Sequence, residues 1–267
     1  MDTSISVLVM GDPIPAARAR RGSFVDLIRQ AAPAFGTHRW RAHDVRVGAE
    51  VPRLGAESAV IITGSALSVT EELPWKEAVS AQLRELVKSD VPVLGICFGH
   101  QLLAHALGGR VSKNPNGREM GSNLLEVLVD DELLGARRSF VVNNTHVDSV
   151  VELPPGARVI ARTSLEAHAA VRFAPGAWGV QFHPEIDADV LRDYFAARRP
   201  ILLAEGFDID AGERGLRDAP ESLRLIERFL ELARARWAAR AAAEAERRVA
   251  ERGGGGAPPP TGSAELG

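Results

Sequence analysis

The strongest constraint in this sequence is an alternation. Short continuous apolar runs stop at glycine-bearing turns and are followed by stretches with helical period. Ile5 to Met10 ends at Gly11-Asp12-Pro13, Ala59 to Ile62 ends at Thr63-Gly64-Ser65, and Val91 to Cys97 ends at Phe98-Gly99. Runs of this kind suit strands buried on both faces of a sheet. Gly22 to Ala32, Pro74 to Lys88 and Gly99 to Leu107 read as helices. In the first, Phe24, Leu27, Ile28 and Ala31 share one side and Asp26, Arg29 and Gln30 the other; Gly108-Gly109 closes the third. Strand and helix in alternation predict an α/β fold, a doubly wound and mostly parallel sheet flanked by helices.

From Asn123 to Phe173 the pattern shifts to short strands, Leu124 to Val129, Phe140 to Val142, Arg158 to Arg162 and Ala169 to Phe173. Turns such as Pro154-Pro155-Gly156 separate them, which predicts a small antiparallel section. Gly179 to Phe182 reads as the last core strand, and Asp187 to Arg198 and Glu221 to Arg252 as helices. Leu223, Ile226, Leu230, Ala233 and Trp237 form an apolar side on the last helix, after which it becomes alanine, arginine and glutamate. Residues 1–235 are expected to form one domain. Residues 236–267 are expected to be a polar helical extension and a disordered Gly/Pro-rich tail. The segment from Pro200 to Pro220 matches no pattern.

Composition excludes several classes of function. Lys+Arg 32 against Asp+Glu 35 gives a net charge of −3, too little positive charge for a nucleic-acid partner. No apolar run is long enough to span a membrane. The single cysteine and the absence of a secretory signal lead us to expect a cytoplasmic setting.

That cysteine, Cys97, sits between Gly95 and Gly99 where a strand gives way to a helix. Glycines there permit a sharp turn, the helix N-terminus favours a thiolate, and the amide of Phe98 is positioned to face an oxyanion. The flanking glycines alone fit a buried structural thiol equally well. A base is offered by His183, with Glu185 two residues on; in an extended segment both point to one side, so the carboxylate could orient the ring. Gly64, at another strand end, would let a second backbone amide approach a substrate. His100 and His105 are five apart and read as structural. His146 and Asp148 border the pocket or bond within a loop, and Gly117 and Glu119 fall in a loop near it.

The segments Ile62-Thr63-Gly64-Ser65, Gly95-Ile96-Cys97-Phe98-Gly99-His100-Gln101 and Gly179-Val180-Gln181-Phe182-His183-Pro184-Glu185, in this order and spacing, resemble the class I glutamine amidotransferases. Within that family the chain is similar to stand-alone members like the glutaminase domain of GMP synthase, a subgroup that also contains plant γ-glutamyl peptidases. The resemblance covers roughly Ile5 to Phe195. It implies a Cys97-His183-Glu185 triad, an oxyanion hole from the amides of Gly64 and Phe98, substrate binding by Gln101, and no metal or cofactor. It further implies glutamine or a γ-glutamyl compound as substrate, and an ATP-dependent synthetase partner to receive ammonia, since no ATP-pyrophosphatase segment follows Arg198. A self-sufficient γ-glutamyl peptidase or hydrolase and a catalytically silent binding module remain alternatives.

Overall fold

A computed structural model of the chain describes residues 4–47 and 59–253. The predicted tail lies outside the described residues. In chain order the elements are β1 (Ser4–Val9), α1 (Pro15–Arg21), α2 (Phe24–Gln30), β2 (Arg39–Asp44), β3 (Ala59–Ile62), α3 (Lys76–Lys88), β4 (Val93–Ile96) and α4 (Phe98–Ala106). The second half comprises β5 (Arg110–Lys113), β6 (Glu119–Val127), β7 (Ser139–His146), β8 (Asp148–Glu152), β9 (Arg158–Arg162), β10 (Ala170–Ala174), β11 (Ala177–Val180), α5 (Ala188–Ala204), α6 (Ile209–Arg214) and α7 (Pro220–Gly253).

One nine-stranded sheet runs in the order β2-β1-β3-β4-β11-β10-β9-β6-β7, and β5 pairs with β8 in a separate ribbon. The pairs from β2 to β11 are parallel, and those from β11 to β7 antiparallel. This is the predicted α/β architecture with its antiparallel section. Alternate residues of the parallel strands feed two cores. Val7, Ile61 and Leu94 pack with Ile28 of α2 and with Ile226, Phe229 and Leu230 of α7. Leu8, Val60, Ile62 and Val93 pack with Val79 and Leu83 of α3 and with Leu102 and Leu103 of α4. Burying apolar surface on both faces of each strand is what makes these runs continuous in sequence. On α7 the buried side centres on Leu225, Ile226, Phe229, Leu230 and Ala233, and Leu223 is 38% exposed, so the apolar side is turned from the one expected. Among the described residues no helix is long and apolar enough to cross a membrane.

The segment without a predicted pattern is largely helical. α5 continues past Arg198 through Pro200, and α6 starts at an Asp208 cap whose side chain accepts from the Ala211 amide. α5 is tied to α1 by Arg20 with Asp189 and Asp193, at 3.0 and 2.7 Å, and by Arg21 with Asp187 at 2.8 Å. Phe24, Ile186, Leu191, Tyr194 and Phe195 form a third apolar cluster beneath these pairs. Exposed pairs contribute little stability, so the cluster fixes α5 and the pairs set its register.

Candidate active site

Because β1, β3, β4 and β11 are parallel, their carboxyl ends open on one edge, where open α/β sheets form their sites. Cys97 follows β4 directly, with φ 51° and ψ −102°, and is the N-cap of α4. A side chain in this conformation is strained, which marks a turn over-determined by its surroundings. Two glycines make the turn possible. A Cβ on Gly95 would lie 2.5 Å from the carbonyl oxygen of Gly99, and one on Gly99 would lie 2.4 Å from the carbonyl oxygen of Ile62. The thiol is buried at 6% exposure yet lines a cavity of about 280 Å³ with Gln101, Arg118, His146, Asp148 and Arg198.

His183 and Glu185 come together, but not by the extended geometry expected. β11 ends at Val180, and residues 183–186 form a turn closed by the Ile186 amide on the His183 carbonyl at 3.3 Å. Within that turn His183 Nδ1 and Glu185 Oε1 are 2.8 Å apart, leaving Nε2 to meet the Cys97 thiol. The turn is held from β7: the Asn143 carbonyl accepts the His183 amide at 2.9 Å, and the Asn143 side-chain amide donates to the Ile186 carbonyl at 2.8 Å. Phe24 stacks on the imidazole at 6.0 Å between ring centroids.

Gly64 closes the other side of the ring. A Cβ there would sit 2.7 Å from His183 Cε1 and 3.7 Å from Cys97 Cβ. Thr63 fixes this turn, accepting from the Met10 amide at 2.9 Å and donating to the Gly64 carbonyl at 3.0 Å. Phe98 is the first residue of α4, so its amide has no acceptor within the helix. Gln101 spends its amide hydrogens inside the protein, on the Asp148 carbonyl at 2.9 Å and Gln181 Oε1 at 3.0 Å. Gln181 in turn points its Nε2 at Cys97 Sγ, 3.5 Å away. Neither Gln181 nor Thr63 stood out in the sequence, although both lie inside the quoted motifs.

Glu119 is not in a loop. It opens β6, is 1% exposed, and bonds His146 Nε2 at 3.1 Å, while His146 Nδ1 faces the Asp148 carbonyl at 3.1 Å. The Thr163 hydroxyl donates to the second Glu119 oxygen at 2.5 Å. A carboxylate accepting on both oxygens and an imidazole facing an acceptor from each nitrogen are mutually consistent as an ion pair, so His146 is a buried cation in the cavity wall. His100 lies on the far side of α4 from this cavity, against Phe173, its two ring nitrogens without a hydrogen-bond partner. His105 faces Glu77 at 3.3 Å. Among the described residues no group of three or more His, Cys, Asp or Glu is placed to hold a metal.

The electrostatics follow from these contacts. Burial opposes ionisation of Cys97, but the His183 charge and hydrogen bond, helped by His146, bring its pKa below the ordinary thiol value. Burial likewise opposes the charged form of His183, yet Glu185 and the Cys97 thiolate raise its pKa to about 10. Thiolate and imidazolium support each other, the arrangement that makes a cysteine nucleophilic at neutral pH.

The family model described as glutamine amidotransferase class-I matches residues 28–197 of this chain. The chain belongs to the class I glutamine amidotransferases. Over 138 residues it is 37% identical to one subunit of the glutamine-hydrolysing GMP synthase of Saccharolobus solfataricus, spanning 51% of this chain and 71% of that one. It is 40% identical over 139 residues to the glutamine-hydrolysing GMP synthase of Thermosipho melanesiensis, a match that covers 51% of this chain but only 26% of that longer protein. A glutamine amidotransferase from Thermotoga maritima shares the fold, with a TM-score of 0.66 over 89% of this chain and 98% of that one at 21% identity. Members of this amidotransferase family are enzymes, and this one is related to the glutaminase portion of GMP synthase.

Proposed function

We propose that this amidotransferase hydrolyses the γ-amide of glutamine through a Cys97-His183-Glu185 triad. The Cys97 thiolate attacks the side-chain carbonyl, and the amides of Gly64 and Phe98 hold the oxyanion. His183, oriented by Glu185, gives its proton to the departing nitrogen, ammonia leaves, and a γ-glutamyl thioester remains on Cys97. Water activated by His183 then releases glutamate. Gln101 keeps its Oε1 for a donor on the substrate. The ammonia serves a separate ATP-dependent synthetase, as suits a chain matching only a quarter of a full GMP synthase.

The observation that carries this reading is the strained turn at Cys97, whose thiol meets the ring of His183, itself 2.8 Å from Glu185, beside a cavity of about 280 Å³. A silent binding module would have no use for a thiol held at a positive φ. The test is glutamate release from glutamine, with Cys97→Ala as the blank. Release by the wild-type protein and none by the variant is expected; equal release by both would refute the reading.

A further inference from the structure

Two cavities meet across the Cys97–His183 pair. The first, described above, contains Cys97, Gln101 and Asp148; the second, about 210 Å³, is lined by His183, Phe24, Ile14, Tyr194 and Asp12. Ser65, Ala66, Thr145 and Arg198 line both. In the thioester reading, on which this inference rests, His183 protonates the departing amine, so the leaving group emerges on the His183 side. Ammonia is about the size of water, whose share of liquid volume is about 30 Å³. The second cavity is several times larger than ammonia needs.

Its charge is equally informative. Arg198 Nη1 donates to the Thr145 carbonyl at 3.1 Å and to the Thr145 hydroxyl, and the guanidinium lies 5.2 Å over the Tyr194 ring. Its Nε and Nη2 make no hydrogen bond among the described residues, and no carboxylate lies within ion-pair distance of it there. Asp12, the other permanently charged residue on this cavity, is engaged by Arg18 at 3.0 Å and Arg46 at 2.9 Å. Arg118, which flanks the first cavity, is engaged by Glu205 at 2.7 Å. A half-buried guanidinium with its fork open is suited to a carboxylate brought in by a ligand.

We propose that the second cavity is a leaving-group site, in which Arg198 binds the carboxylate of an amino acid released from a γ-glutamyl amino acid. The chemistry is that of glutamine hydrolysis with a larger amine. The thiolate forms the C–S bond, the C–N bond breaks, the His183 proton goes to the amino acid nitrogen, and water cleaves the thioester to glutamate. Nothing beyond water is consumed.

The test compares γ-glutamyl-glycine, γ-glutamyl-glycinamide and glutamine as substrates of the wild-type protein, Arg198→Gln and Arg198→Lys. The first two differ only in the leaving-group carboxylate. Wild-type kcat/KM is expected to favour γ-glutamyl-glycine over the glycinamide by about tenfold or more. Arg198→Gln should bring that ratio close to one, and Arg198→Lys should retain part of it. A wild-type ratio near one overturns the inference. So does an equal loss on both substrates in Arg198→Gln, which would put the arginine on the glutamyl half. If Arg198→Gln fails to fold, product inhibition of the wild type decides: competitive inhibition by glycine but not glycinamide is expected, and equal inhibition is contrary. Turnover of glutamine without γ-glutamyl-glycine overturns this inference alone. Failure of all three substrates to acylate Cys97 overturns the thioester reading and this inference with it.

Discussion

Gly64→Ala tests the packing that presses His183 against Cys97. Its new Cβ would stand 2.7 Å from His183 Cε1, where carbon atoms normally meet at about 3.5–4.0 Å. The shortfall is about 1 Å. The ring cannot rotate freely to make room, because Glu185 holds Nδ1 at 2.8 Å and Phe24 stacks on it. It must therefore slide as a body and lose its line to the thiol. A displacement of about 1 Å in a reacting group costs about 100-fold in rate, or about 2.7 kcal/mol of activation free energy. Gly64 has no positive φ, so alanine is tolerated by the backbone, and the overpacking should cost about 1–3 kcal/mol of stability. The assay is kcat for glutamate release, with Cys97 alkylation rates and the melting temperature on the same samples. A folded Gly64→Ala protein within threefold of wild-type kcat would refute the argument. Gly99→Ala is the contrast: its Cβ would meet the Ile62 carbonyl oxygen at 2.4 Å, backbone against backbone, and the expected outcome is loss of the folded protein.

Three further outcomes follow from the charges. The His183 pKa is raised from 6.5 to about 10, so the stability it contributes is fully present below 6.5 and lost as pH rises through 10; Glu185→Gln should flatten the fall in urea midpoint over that window and lower activity less than Cys97→Ala does, and an unchanged slope would count against the pair. Glu119→Gln should let His146 go neutral and move the alkylation midpoint of Cys97 upward in pH, whereas an unmoved midpoint would mean that His146 does not help hold the thiolate. Burial holds His100 neutral with its pKa lowered to about 3, so stability is lost as pH falls from 6.5 toward 3, by about 3 kcal/mol at pH 4; His100→Asn should show a shallower acid slope in urea unfolding, and an identical slope would refute this.

The elements legible in the sequence were those whose side chains meet apolar surface on every side. β1, β3, β4 and β11 are covered by helices on both faces, and their continuous valine and isoleucine runs follow from that. β2 was invisible because Arg39–Asp44 is an edge strand with no fully buried side chain, paired to β1 by backbone alone. α1, Pro-Ala-Ala-Arg-Ala-Arg-Arg, buries only Ala17 and carries no apolar stripe. The end of β7 reads as polar, yet Asn143 to His146 is buried, because those side chains hold the His183 turn and the cavity wall rather than pack a core. The Cys97 turn was legible because glycine is required on both sides of it. The pairing of His183 with Glu185 was expected for a geometric reason that does not hold: a turn, not an extended strand, brings them together. Arg198 and Thr63 escaped notice because their work is contact with residues distant in sequence, which spacing does not reveal.

The most direct test of the central claim is the mass of the protein quenched in acid during turnover of glutamine. The account predicts one γ-glutamyl group, located on Cys97 and absent from Cys97→Ala. Glutamate release with no adduct on Cys97, or release undiminished in Cys97→Ala, would contradict it.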